Sequence, residues 1–473
     1  MKFFALSLLA LTITGCAVGP DYRAPQPEPA RLLQAERGDH DRSRFEAAWW
    51  QQFEDPTLDA LVGEALAENR ELRIAYARLR AARAIRDDVG NDRLPTVTAG
   101  ARADIGKAQQ PGFSEERVNA ERYDLGLDMA WELDLFGATR ARRDSTAQQL
   151  RSAEAQTVAA RLAVAANTAQ GYLQLRALQG QRALLVEGIE VARELERIAG
   201  LLFHAGEVTR LDVEATSAER ASLEADLDEL DIHLAEAQLA LDTLLAEPPG
   251  SSAARLAAST AVPLAESRIA AGQPIDLLRR RPDLIAEAAR LDAAELQALA
   301  ARRDLFPKLA VQAAVGRSGF ALGDAVSSAS NFARVGATFG LPLDYANRGA
   351  AIELADAEGE GAYIAFEQAL ARALEEVERG LTRIAGQQRR HAALSRTREH
   401  RERAHRLAQR SYELGEANLS EVLDAQRGAL QARQRALEGR TALATAQVAL
   451  YVALGGGWNA ADGAAVSEDQ SAP

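Results

Sequence analysis

Cysteine is nearly missing from this chain: Cys16 stands alone, which excludes internal disulfides and any metal site built from several thiolates. Aromatic residues are 5% of the 473, too few for one bulky core. Ala, Leu, Glu, Gln and Arg fill long stretches instead, a balance that suits extended helices packing through small side chains. Basic residues are outnumbered, 55 Lys and Arg against 68 Asp and Glu, for a net charge of −13. With no basic cluster either, a nucleic-acid partner is excluded. After the N-terminus there is no run of about 18 apolar residues, so the mature chain has no helical transmembrane span, and any crossing must be made by strands. The histidines (His40, His204, His233, His391, His400 and His405) form no HExxH, and no GxSxG partner exists for them. They read as solvated helix positions. No enzyme, cofactor or metal is expected.

The first residues read as a targeting segment over 1–15. Lys2 supplies the positive end, Phe3 to Ile13 the apolar stretch, and Ile13-Thr14-Gly15-Cys16 closes it. This resembles a bacterial lipobox, with Cys16 as the lipidated first residue of the mature chain. The alternatives are an ordinary cleaved signal and a buried thiol. Several acyl chains, at about 0.8 kcal/mol per buried methylene, would hold the N-terminus in a leaflet. Ala17 follows, and the lack of Asp there fits outer-membrane retention, by resemblance to known lipoproteins.

Past a lipid-anchored, Pro-rich segment (16–55), the chain runs twice through helix, strand pair, very long helix, turn and return helix, once over 56–250 and again over 251–455, before a tail at 456–473. Leu94-Pro95 answers Phe306-Pro307. Leu135 and Arg140 answer Leu343 and Arg348, and Gly206-Glu207 answers Gly415-Glu416. Two similar halves are implied, with strand pairs at 94–136 and 306–345.

The strands carry the sharpest pattern. From Tyr123 to Leu135 every odd position is apolar, while the even ones include Asp124, Asp128, Glu132 and Asp134. Val335 to Leu343 repeats the alternation, and Val97 to Ile105 and Leu309 to Val315 carry it more faintly. A half-buried sheet in a soluble protein gives the same period of two. An export signal, a lipid anchor and a length near the 9 to 11 residues of a tilted outer-membrane strand favour the membrane. Four strands cannot close a barrel, and an unpaired edge cannot face lipid, so several copies must share one. The acidic even face would then line a water-filled lumen.

Leu58, Leu61, Val62, Ala65, Leu66, Leu72, Ala75 and Leu79 have helical spacing, which predicts one helix from 57 to about 90. Arg140 to about Leu202 has no proline and, at about 1.5 Å per residue, predicts a rod of roughly 95 Å that needs lateral partners. Gly206 breaks it, and a return helix follows from about Thr209 to Leu245. The second half runs from about Arg348 to Tyr412, breaks near Gly415 and returns to Leu454.

With these elements placed, "CAVGPDY", "WWQQFEDPTLDALVGEAL", "WELDLFG", "LLRRRPDLIAEAARLDAAE", "SYELGEANLSEVLDAQR" and "LYVALGGGW" resemble the signatures of one family. It is the TolC-like outer-membrane factors of tripartite efflux systems, in the lipoprotein branch often called the OprM or NodT family. The similarity covers nearly the whole chain. It implies a membrane α+β fold: a homotrimer whose protomers each give four strands to a twelve-stranded barrel, continued by a long α-helical barrel in the periplasm. It implies a periplasmic adaptor docking at the turns Gly206-Glu207 and Gly415-Glu416, an inner-membrane RND-type pump, and contact with outer-membrane lipid.

The resemblance also implies a periplasmic gate. Asp424 and Arg427 in "LDAQR" match gating residues, and in related secretion ducts an acidic ring uses the position of Glu421. Tyr412 and Asp212 match a pair that ties neighbouring helices in the closed state. For each, a solvated charge at a helix surface is the plainer reading. The chain departs from the family at Pro342 to Gly349, at Ala417, where some relatives are basic, and at Ser420, where a bulky apolar gate residue can stand. A type I protein-secretion duct and a lipid-tethered coiled-coil scaffold without a pore are the competing functions. The cargo is not legible.

Overall fold

The computed structural model describes residues 48–109, 116–258, 260–265, 280–322, 325–326 and 329–456. Cys16, the targeting segment and the C-terminal tail lie outside the described residues. The chain divides into two compact units, one built from 79–153 and 287–367, the other from 48–78, 154–286 and 368–456.

The first unit holds the sheet. Strands β1 (Thr96–Ala108), β2 (Val118–Leu133), β3 (Lys308–Leu322) and β5 (Ser330–Gly340) pair antiparallel in the order β1-β2-β3-β5, and the two-residue β4 (Ala325–Val326) pairs the end of β3. The register puts Arg102 opposite Asp124 and Thr98 opposite Asp128, with Ser318 and Ala314 on the other side. Because side chains alternate between faces and paired residues share one, two different surfaces result. The odd face carries Val97, Ile105, Leu125, Leu127, Val315, Val335 and Phe339, all exposed in the single chain. The even face carries Asp124, Asp128 and Glu132, as the alternation predicts. It is not simply acidic. Arg122 donates to Asp124 at 2.8 Å, Arg102 to Asp104 at 2.7 Å, and the Lys308 ammonium lies 3.2 Å from Glu132. Arg334 adds a fourth cation, its guanidinium 4.9 Å from the centre of the Phe332 ring.

Asp134 corrects the alternation. β2 ends at Leu133, and the Asp134 carboxylate turns back to accept from the N–H groups of Thr139 (3.2 Å) and Arg140 (2.7 Å). Those donors open the next helix and have no partner within it, so a carboxylate there is worth more as a cap than as a strand residue. Below the strands Phe136 stacks on Phe306 at 5.0 Å.

The second unit is helical. The predicted single helix over 57–90 is two: α1 (Pro56–Glu68) and α2 (Arg70–Asn91). Asn69 makes the break. Its buried side-chain oxygen accepts from Glu71 and Leu72 N–H (2.9 and 3.1 Å), starting α2, while its amide donates to the Leu244 carbonyl at 2.8 Å. Three bonds from one side chain outweigh the continuity that the apolar spacing suggests. The long helices follow, with residues 79–91, 138–153, 287–303 and 345–367 of the helices belonging to the first unit: α3 (Ala138–Ala205), α4 (Arg210–Leu244), α5 (Pro282–Arg303), α6 (Tyr345–Glu413) and α7 (Leu419–Ala453). Among the described residues no helix is long and apolar enough to cross a membrane.

The family-like sequence blocks turn out to be packing. Trp49 is fully buried and stacks on Tyr451, ring centres 5.4 Å apart, while the Tyr451 hydroxyl bonds Gln52. Asp55 caps α1 and also accepts from the Tyr172 hydroxyl at 2.7 Å. In the Arg-rich block, Arg281 is the buried member. Its guanidinium reaches Asp283 (2.7 Å), Glu376 (2.8 Å) and the Ala453 carbonyl (2.9 Å), the satisfaction that a buried charge requires.

Candidate functional site

The candidate site lies where α3 turns into α4 and α6 into α7, within the second unit. Both turns are made in one way. Gly206 has φ +80° and Gly415 φ +76°, a conformation that costs other residues a clash at Cβ. The Gly206 N–H donates to Phe203 (3.0 Å) and the Glu207 N–H to Leu202 (2.9 Å), and Gly415 and Glu416 donate to Tyr412 (2.9 Å) and Ser411 (2.8 Å). This closing pattern satisfies the last carbonyls of each helix. Glu207 and Glu416 are therefore held by their backbones, with exposed side chains.

The return helices start with matching caps. Thr209 and Asp212 form a reciprocal box: the Thr209 hydroxyl accepts from Asp212 N–H, and the Asp212 carboxylate accepts from Thr209 N–H (2.8 Å) and hydroxyl (2.7 Å). The hydroxyl, then the N–H, hold the Asp212 carboxyl below the usual carboxylate range. Asn418 caps α7 likewise, accepting from Glu421 N–H at 2.9 Å and donating to the Glu421 carboxylate at 3.0 Å.

The expected pair of Tyr412 and Asp212 is not brought together. Among the described residues no hydrogen bond joins them. Tyr412 packs with Leu202, Val213 and Leu423 on the buried Leu195 and Ala199. Asp424 and Arg427 do meet, Oδ1 to Nη1 at 3.7 Å, one turn apart on α7. Arg427 meets a second carboxylate that the sequence did not single out, Glu219 of α4, at 3.0 Å.

Other cross-helix pairs escaped the sequence as well. Arg433 of α7 reaches Glu187 of α3 (2.6 Å) and Glu402 of α6 (2.9 Å). Arg220 of α4 reaches Glu196 of α3 at 2.6 Å, where Ser217 donates at 2.8 Å. Leu211 and Leu414, beside the two turns, are 76% and 67% exposed, an apolar surface that no periodicity marked. Bonds of such length between half-exposed groups set geometry more than stability.

Known proteins share this architecture. The outer membrane efflux protein family model matches the chain twice, over residues 61–247 and 274–456. The pyoverdine export outer membrane protein OpmQ of Pseudomonas putida is 31% identical over 96% of both chains, and the outer membrane protein OprJ of Pseudomonas aeruginosa is 29% identical over 96% of this chain and 95% of its own. The solved structure of the outer-membrane channel OprN is similar with a TM-score of 0.87 at 38% identity, covering 94% of this chain and all of that one. A two-faced sheet, long paired helices and full-length similarity at these levels lead to one assignment: the chain belongs to the outer membrane efflux protein family and is an efflux channel of the bacterial outer membrane, with a large periplasmic part.

Proposed function

We propose that three copies of this chain assemble into one exit duct, each giving its four long strands to a twelve-stranded barrel, and that the duct is closed at the turns until an adaptor and an inner-membrane pump engage it. The observation that carries this reading is the sheet itself. Among the described residues β1 pairs only with β2 and β5 only with β3, so both edges offer unpaired backbone groups beside an apolar face. In hydrocarbon each such group costs several kcal/mol. Neighbouring copies remove both edges at once. The even face, with its ion pairs, then bounds water, and the odd face meets lipid.

Low-mass solutes are the proposed cargo. The names of the relatives, pyoverdine export and antibiotic efflux pump among them, support that class, and selection is left to the pump. Leu211, Leu414 and the Gly206 and Gly415 turns supply the adaptor's docking surface, while Glu421, Asp424 and Arg427, with Asp212 and Tyr412 beside them, form the gate. Cys16 carries the lipid anchor.

The test is reconstitution in planar bilayers. The assembled protein is expected to conduct weakly, and Asp424→Ala with Arg427→Ala to conduct several-fold more. Protein that is folded by circular dichroism yet never conducts, in either form, would sink the duct. Restored drug resistance in a strain lacking its own outer-membrane channel, when adaptor and RND-type pump are supplied, distinguishes small-molecule efflux from protein secretion.

A further inference from the structure

A latch must join two bodies that move apart. Asp424 and Arg427 sit three residues apart on the same helix, α7. Any rigid movement of α7 carries both along and leaves their separation unchanged. That pair therefore opposes no helix displacement. Glu219 differs, because it belongs to α4, in the other half of the chain.

We infer that Glu219 is the positioning residue of the gate: it holds Arg427, and through it α7, against α4, and opening requires that bond to part. The inference rests on the gate reading above. Three observations carry it. The Glu219 contact is the shorter of the two made by Arg427, 3.0 Å against 3.7 Å, and the Glu219 side chain is 29% exposed where that of Asp424 is 77% exposed. Glu219 and Arg427 also cover one small cavity of about 20 Å³ whose other walls include Leu195, Leu223, Leu423 and Leu430. Leucine side chains thus flank the half-exposed pair, and attraction across it is stronger than in bulk solvent.

The third observation is that each end of the latch is tied to its own support. α4 is fixed beside Glu219 by Arg220 and Ser217, both on Glu196 of α3. α7 is held six residues beyond Arg427 by Arg433, between α3 and α6. Parting Glu219 from Arg427 removes the polar tie to α4 on the length of α7 between Arg433 and the Gly415 turn, which includes Asp424 and Glu421, and leaves that stretch held by the apolar packing of Leu423. Those carboxylates are then displaced as a group. Asp424 is the group presented to the opening, and Glu219 decides where it stands.

Single-channel conductance of the reconstituted full-length protein tests this in four variants. Glu219→Gln is expected to raise conductance to the level of Arg427→Ala, and the double variant to go no higher than either, since both cut one bond. Exchange of the charges, Glu219→Arg with Arg427→Glu, is expected to return conductance to the wild-type level, a rescue that loss of packing would not give. If Arg427→Ala opens the channel and Glu219→Gln does not, or if the exchanged pair stays open, the positioning role is overturned while the gate stands. If Arg427→Ala and Glu219→Gln both leave conductance unchanged, the gate reading itself falls, and this inference with it.

Discussion

Asp212 and Glu421 occupy the same place in the two return helices, each the third residue after a capping side chain that its own carboxylate bonds, Thr209 in one case and Asn418 in the other. Two residues that the sequence matched to different parts of a gate thus share a first duty, to start a helix. A carboxylate there favours the helix N-terminus whether or not a neighbouring protomer is present.

Thr209→Ala or Asn418→Ala is expected to loosen its own turn by about 1 kcal/mol. Hydrogen exchange of the first amides of α4 or α7 should speed roughly five-fold, with the other turn unaffected. Equal protection in wild type and variant would mean that the turns are held from elsewhere.

Acid is expected to weaken the helical unit below pH 6.5. Burial, then Arg440 and Arg398, lower His391, and burial, then Arg433 and Arg406, lower His405. Both prefer the neutral form when folded, whereas the unfolded chain protonates near the ordinary 6.5. Stability is therefore full above 6.5 and falls as pH drops from there toward the folded pKa values. Thermal unfolding between pH 7.5 and 5 should show a declining midpoint, less steep in His405→Leu. A midpoint independent of pH would exclude the effect.

Ala246 ends α4 with φ 59°, where Gly455, ending α7, has φ +72°. Ala246→Gly is expected to stabilise by about 1 kcal/mol, through relief of the Cβ clash. Gly455→Ala should destabilise by more, because its Cβ would stand 3.1 Å from the Arg280 carbonyl. Slower heat inactivation of the first variant and faster inactivation of the second check the pair. The opposite order would refute the assignment.

Gly316 faces Gly126 between β3 and β2, and the Phe332 ring fills the space over it. A Cβ on Gly316 would press on the Leu125 carbonyl and lie 2.8 Å from the Gly126 Cα. Gly316→Ala is expected to cost about 1 to 3 kcal/mol of overpacking and to lower the yield of protease-resistant assembled protein several-fold. Gly336→Ala, with open space around its Cβ, is the matched control and should assemble normally.

The strands and turns were legible because each rests on a local rule. Period two follows from two different solvents on two faces, and Gly206 and Gly415 from a backbone angle that only glycine adopts freely. Asp134 was misread because the alternating letters continue past Leu133 while the backbone does not, and its carboxylate serves a helix the pattern cannot foresee. Asn69 was missed because Leu58 to Leu79 keep a helical spacing across a break made by one side chain. Glu219 was invisible for another reason. Its partner, Arg427, lies on a different helix, and no spacing within the sequence records which helices touch.

The bonds that make each turn join residues no more than five apart, as in Glu207 to Leu202 and Glu416 to Ser411. The β2–β3 ladder instead joins residues as distant as Ala120 and Leu322. Loop closure makes long-range pairing slow, and local contacts form first. Helical hairpins can therefore form as the chain arrives in the periplasm, while the sheet waits for the second half. Until then its apolar odd face is open to water, and this is the stage of biogenesis at which the chain most needs a chaperone.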